Sequence, residues 1–158
     1  TGLLNSKLIE FWLRYKGKMQ GFNFQVDKEP LLEIPIYKPE NTSPFETLVD
    51  YIIRLLDNDV TITSQVSNTH IAQLFEELID AMVMELYFKE DFEKAGIEFI
   101  KYAERDFEPI EGKPEAEQIA IIGKAYQKLR EKDNEIRNNL KLMDIKLADI
   151  VMPIKTAR

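Results

Sequence analysis

Asn68-Thr69-His70-Ile71-Ala72-Gln73-Leu74-Phe75-Glu76-Glu77-Leu78-Ile79-Asp80-Ala81-Met82-Val83-Met84-Glu85-Leu86-Tyr87-Phe88 places apolar residues at 71, 74, 75, 78, 79, 82, 83 and 86. Steps alternating between three and one keep all eight on one side of a 3.6-residue helix, so the stretch predicts a long helix from Asn68 or Thr69 to about Phe88. A strand would need period two, which these residues do not show.

Downstream, residues 90–104 read as another helix, broken or bent near Gly96. Asp106 to Pro114 holds two prolines and a glycine and reads as a loop. Residues 115–141 predict one continuous helix. In it Ile119, Ile122, Tyr126, Leu129, Ile136 and Leu140 form a heptad seam with Asp133 in one core slot. Packing within the domain is the expected use of that seam; a homodimer is the alternative. Ile150-Val151-Met152-Pro153-Ile154 reads as a short extended tail.

Upstream, residues 58–67, beginning Asn58-Asp59, are a connection. Ser43-Pro44-Phe45-Glu46 has the form of a helix start, with Ser43 and Glu46 able to cap each other's amides and Pro44 at the first helical position. Phe45, Leu48, Val49, Ile52, Ile53 and Leu56 extend that helix to about Asp57. Leu31 to Tyr37 reads as extended, with Pro35 confining it to an edge. Phe22, Phe24 and Val26 alternate with Asn23 and Gln25 as in a strand, after a turn marked by Gly17 and Gly21. Leu4, Leu8, Phe11, Trp12 and Tyr15 predict a helix over 3–16, ended by Gly17. The fold class is therefore mainly α, a helical domain with a small β-containing N-terminal part (α+β at the N-terminus). A helical pattern beginning at residue 3, without Met or leader, leads us to expect a piece of a longer chain.

Composition narrows the chemistry. The chain has no cysteine, so disulfides, thiolate nucleophiles and Cys-based zinc sites are excluded. The one histidine, His70, sits in a predicted first helical turn, where a surface role is the plain expectation. GxxxxGK, GxGxxG, HExxH and GxSxG are all missing. Asp106 with Glu111 and Lys113 has the residue types of a Mg²⁺-dependent nuclease, but Pro109 and Gly112 favour a solvated loop over the paired strands such a site requires. Neighbouring acids such as Glu76-Glu77 and Glu90-Asp91 do not face each other on a helix and read as solvated charge. No catalytic and no metal residues are therefore assigned. No apolar run is long enough for a membrane span, no signal peptide is evident, and the cytoplasm of a bacterium is the expected location.

Net charge is −7. It is unevenly spread: residues 1–38 carry +2, and residues 76–117 hold 14 acids against five bases. A phosphate backbone would be repelled by the second region. The candidate DNA contacts are Arg14, Lys16, Lys18 and Lys28, whose cations can meet phosphates, and Gln20, Asn23 and Gln25, whose amides can pair with adenine. Ordinary polar positions around a hairpin are the alternative.

The run Leu3-Leu4-Asn5-Ser6-Lys7-Leu8-Ile9, then Lys16-Gly17-Lys18 with Gln20-Gly21 and Asn23-Phe24-Gln25, then Lys28-Glu29-Pro30-Leu31-Leu32 and Ile34-Pro35-Ile36, resembles the TaqI-like C-terminal specificity domain of adenine-specific DNA methyltransferases and fused type IIG restriction–modification enzymes. Pro44-Phe45 with Leu48-Val49-Asp50 matches the helix start that follows in that family, and Glu85-Leu86-Tyr87-Phe88 is similar to a stretch near the C-terminus of the fused enzymes. The resemblance covers residues 3–56 well and 72–112 loosely. It implies that residues 1–42 are the end of a target-recognition region and 43–158 a C-terminal helical region. It also implies double-stranded DNA and an upstream methyltransferase domain as partners. The family's Asn-Pro-Pro-Tyr and cofactor-glycine motifs are missing here, so no cofactor belongs to this piece; S-adenosylmethionine, and Mg²⁺ if a nuclease is fused, are expected in the parent protein. The rival expectation is a helical scaffold or subunit-interaction module without DNA contact.

Overall fold

Helix α4 (Asn68–Tyr87) is the longest helix and makes its most extensive contact with the helix that precedes it. In the computed structural model of the chain, residues 2–20, 23–25, 28–57 and 60–157 are described, with backbone alone for 18–20 and 23–25. Ser67 caps α4, its side chain accepting from the His70 amide, and Ile71, Phe75, Leu78, Met82 and Val83 are fully buried along its length. A stripe wide enough to include Ala72, Ala81 and Met84 needs partners on more than one side, and α4 has them: α1 (Lys7–Lys16), α3 (Ser43–Leu55), α5 (Lys89–Ala95) and α8 (Glu135–Lys146). The molecule is mainly α.

Tyr51 of α3 meets Phe75 and Phe107 edge-to-face, with ring centroids 5.4 and 6.2 Å apart. Its hydroxyl donates to the Glu108 carbonyl at 2.6 Å, which satisfies the one polar atom of a buried ring. Gly96, at φ 66°, ends α5 in the left-handed region, so the chain turns and α6 (Ile100–Asp106) starts afresh. Glu85 accepts from the Phe99 and Ile100 amides at 2.8 and 2.9 Å and so caps α6 from α4.

Several expectations are corrected. The single helix over 115–141 is two, α7 (Glu115–Arg130) and α8, because Asn134 accepts from the Arg137 amide at 2.9 Å and starts a new helix. Asp133 lies exposed in the turn between them, which spares a carboxylate from a core slot. The predicted extended tail is helix α9 (Ala148–Thr156): Met143, Leu147, Val151 and Ile154 recur at helical spacing and are buried, which outweighs Pro153 inside the helix. Ser43 does not cap; Thr42 occupies the cap without a side-chain bond, and Ser43 donates its amide to Asn41. α1 begins at Lys7, not residue 3, with Ser6 as cap. Its buried face is Leu8, Ile9 and Leu13, while Leu4 and Tyr15 are exposed, because Ile34 packs onto Ile9 and Leu13.

The N-terminal part holds less β structure than anticipated. Residues 18–20 and 23–25 pair antiparallel, but Lys28–Leu32 is a short helix, α2, and residues 34–39 run as an irregular strap. Tyr87 ties that strap down by donating to the Pro35 carbonyl at 2.5 Å. That two-stranded ribbon is the only sheet among the described residues. Thr1, Gly21, Phe22, Val26, Asp27, Asn58, Asp59 and Arg158 lie outside them, so the strand reading of Phe22 and Val26 and the start of the 58–67 connection do too.

Candidate nucleic-acid interface

The positions singled out for DNA contact begin in the last turn of α1 and run through the paired strands to the first residue of α2. The polar bonds that hold this segment on the body are at the other end of α1. Ser6 donates its hydroxyl to the Leu3 carbonyl at 2.7 Å and accepts from the Ile9 amide. Asp80 of α4 accepts from the Lys7 amide at 2.8 Å, so a first-turn N–H that α1 cannot satisfy internally is met from another helix. Burial pushes the Asp80 carboxyl up to about 6, against the opposing pull of Lys7. Sequence reasoning missed Asp80; its one signal was a charged residue adjoining Ile79 at the edge of an apolar stripe.

At the far end of α1 the cations differ in how they are engaged. Arg14 reaches back to Glu10 with bonds of 2.8 and 3.2 Å, and Lys7 meets the same carboxylate at 2.9 Å. The Arg14 bonds, then that of Lys7, hold the Glu10 carboxyl below its usual range. Lys16 is exposed and lies 5.9 Å from the centre of the Trp12 ring. Gly17 closes the helix, its amide donating to the Leu13 carbonyl at 2.7 Å.

The register of the paired strands sets Lys18 opposite Gln25, Met19 opposite Phe24 and Gln20 opposite Asn23. Positions two apart in a strand share a face, and so do positions directly opposite in an antiparallel pair. Lys18, Gln20, Asn23 and Gln25 are therefore four positions on one face of the ribbon, and Met19 and Phe24 occupy the other. The side chains of these residues lie outside the described part. Lys28 is exposed at the start of α2.

The nuclease-like set is not assembled. Asp106 is bound by Arg105 and Lys128, at 2.6 and 2.8 Å; Lys113 bridges Glu108 and Glu117; Glu111 is exposed. Arg105 foremost, then Lys128, holds the Asp106 carboxyl low. Among the described residues no three Asp, Glu or His side chains are grouped to hold a metal ion. No helix among them is long and apolar enough to cross a membrane. No family model matches the chain, and no curated protein or solved structure does.

Proposed function

We propose that this chain is a non-catalytic C-terminal part of a bacterial type II restriction–modification enzyme, which helps to recognise and position double-stranded DNA for an upstream adenine methyltransferase domain. The observation that carries the reading is the strand register, which lines up Lys18, Gln20, Asn23 and Gln25 on one face of a two-stranded ribbon. A ribbon of this width fits the major groove, where amide side chains can pair with adenine edges. Exposed Lys16 and Lys28 flank it as phosphate contacts. Arg14 contributes less to binding than its charge suggests, because Glu10 already engages it. The resemblance of residues 3–56 to the TaqI-like specificity domain supports the same reading. S-adenosylmethionine, and Mg²⁺ if a nuclease is fused, would act in other domains, since this chain has neither a cofactor glycine loop nor an Asn-Pro-Pro-Tyr motif.

Fluorescence anisotropy with a duplex of random sequence tests this. If Lys16, Lys18 and Lys28 each meet a phosphate, affinity should fall about 40-fold between about 50 and 200 mM salt. Lys16→Glu/Lys18→Glu should leave about a threefold fall, with much weaker binding at both salts. Binding that is equally salt-sensitive in the variant would sink the hairpin reading. A helical scaffold without DNA contact is the second reading, favoured by the 14 acids within residues 76–117. It predicts no duplex affinity at either salt.

A further inference from the structure

Basic residues also gather at the end of the chain farthest from the hairpin in sequence. Residues 118–158 carry nine Lys and Arg against five Asp and Glu, a net +4 that follows directly on the acidic stretch. Most cations of the helical body are committed. Arg54 pairs with Asp57 and Glu115, Arg105 with Asp106 and Glu135, Lys113 with Glu108 and Glu117, Lys128 with Asp106, and Lys155 with Asp144. Arg130 and Arg137, like Lys124, Lys132, Lys141 and Lys146, have no carboxylate within ion-pair distance among the described residues, and of these six only the two arginines line a groove together.

The break at Asn134 brings these two side chains into one concavity. A groove of about 380 Å³ runs between α4, α7 and α8, lined by His70, Gln73, Glu77, Arg130 and Arg137 over an apolar floor that includes Leu129. Arg137 is fixed by its Nη1, which donates to the Arg130 carbonyl at 2.6 Å and weakly to that of Glu131 at 3.4 Å. A guanidinium carries five N–H donors in a fixed fork, so the rest remain for a ligand. Arg130 lies 5.6 Å from the centre of the Tyr126 ring, which holds it without using its donors. Two guanidiniums, an imidazole and an amide thus converge against one carboxylate, Glu77. Two planar forks lining one groove suit a tetrahedral oxyanion with several acceptor oxygens.

We infer that the groove between α4, α7 and α8 binds a phosphate group, with Arg130 and Arg137 as its ligands and His70 and Gln73 at its edge. This site stands apart from the hairpin: the α4 residues beside α1 are Glu76, Ile79 and Asp80, and none of them lines the groove. The phosphate belongs either to a nucleic-acid backbone or to a free nucleotide.

His70 is the chain's one histidine, so its imidazole C–H signals in proton NMR are a unique reporter inside the groove. The whole chain is titrated with inorganic phosphate over the millimolar range, at fixed pH and at constant ionic strength set with chloride. The signals should move saturably with phosphate and not with chloride alone. Arg130→Gln, an exposed side chain whose loss leaves the fold intact, should weaken binding about tenfold or more, as expected for losing a charge-assisted bond. Glu77→Gln should tighten it, a gain that a misfolded variant could not imitate. A nucleoside monophosphate and a short duplex then identify the source: competition by duplex assigns the site to a backbone phosphate, and competition by the nucleotide alone assigns it to a free one. No phosphate-specific movement, or movement unchanged in Arg130→Gln, overturns the site. Lys16→Glu/Lys18→Glu should leave the titration unaltered, so failure of the hairpin reading and failure of this site are separable.

Discussion

The α3–α4 body and the α1–α2 segment are held by very different amounts of buried surface. In the body, Tyr51, Phe75, Leu78 and Met82 belong to one continuous core of aromatic and aliphatic side chains contributed by α3 to α9. In the segment, Ile9, Leu13 and Ile34 form a small separate cluster with Leu3 and Trp12 packed at its side. What joins them is small by comparison: Leu8 enters the main core with Leu3 and Phe11 packed at its side, α1 touches α9, and the Lys7 amide donates to Asp80. The contrast teaches where rigidity ends. Burial is roughly proportional to stabilisation, so the body should unfold as a unit and the segment should open more easily. The two-stranded ribbon sits on the looser of the two.

The largest effect should come from the middle of the body. Phe75→Ala removes a fully buried ring that meets Tyr51 and Phe107, and should cost about 3–5 kcal/mol of global stability. Thermal melting checks this; a loss under about 1 kcal/mol would show that the core is not the single unit described.

Ile34→Ala should cost about 2–3 kcal/mol, with the damage confined to one side. Hydrogen exchange should quicken at α1 amides and leave α4 unchanged. Equal acceleration in both helices would make them one cooperative unit and remove the contrast.

The joint itself is the third test. Burial raises the Asp80 carboxyl to about 6, above its ordinary 3.8, so the fold favours the protonated form. The sign follows from linkage: the contribution to stability grows as pH falls through 6 and is complete below the unfolded value. At neutral pH the ionised group therefore costs stability, by about 1–2 kcal/mol once its partial solvent access is allowed for. Asp80→Asn keeps an acceptor for the Lys7 amide and removes the titration. It should be more stable than wild type at pH 7, with the difference gone near pH 4. A constant difference from pH 4 to 7 in denaturant melts would contradict this origin.

Legibility in the sequence followed the strength of local signals. α4 could be read because its apolar stripe is broad and uninterrupted, and the break after α5 because Gly96 offers the left-handed conformation cheaply. The periodicity of α1 shows the helix but turns its face by about one residue, since its apolar positions surround most of the helix and only Ile34, distant in sequence, selects Ile9 and Leu13. The division of 115–141 is hidden in the sequence because the heptad spacing continues across it, while Asn134 works as a cap only once Arg137 offers its amide. For the candidate interface, all seven residues were named from charge and amide content. Their shared face depends on a strand register that alternation alone could not supply.

Local pattern already specifies a helical protein without cysteine chemistry or a nucleotide loop, with a positive amino-terminal quarter and an acidic middle. Those properties follow from residue type and short-range periodicity, which act within a few turns of chain. The packing of helices against one another set Asp80 against the start of α1, Glu85 against the start of α6, and His70 of α4 into one groove with Arg130 and Arg137. Each of these joins groups whose pairing is set by which helix faces which. That choice belongs to the packing of the whole core, because burying one stripe of α4 fixes every other side chain it carries.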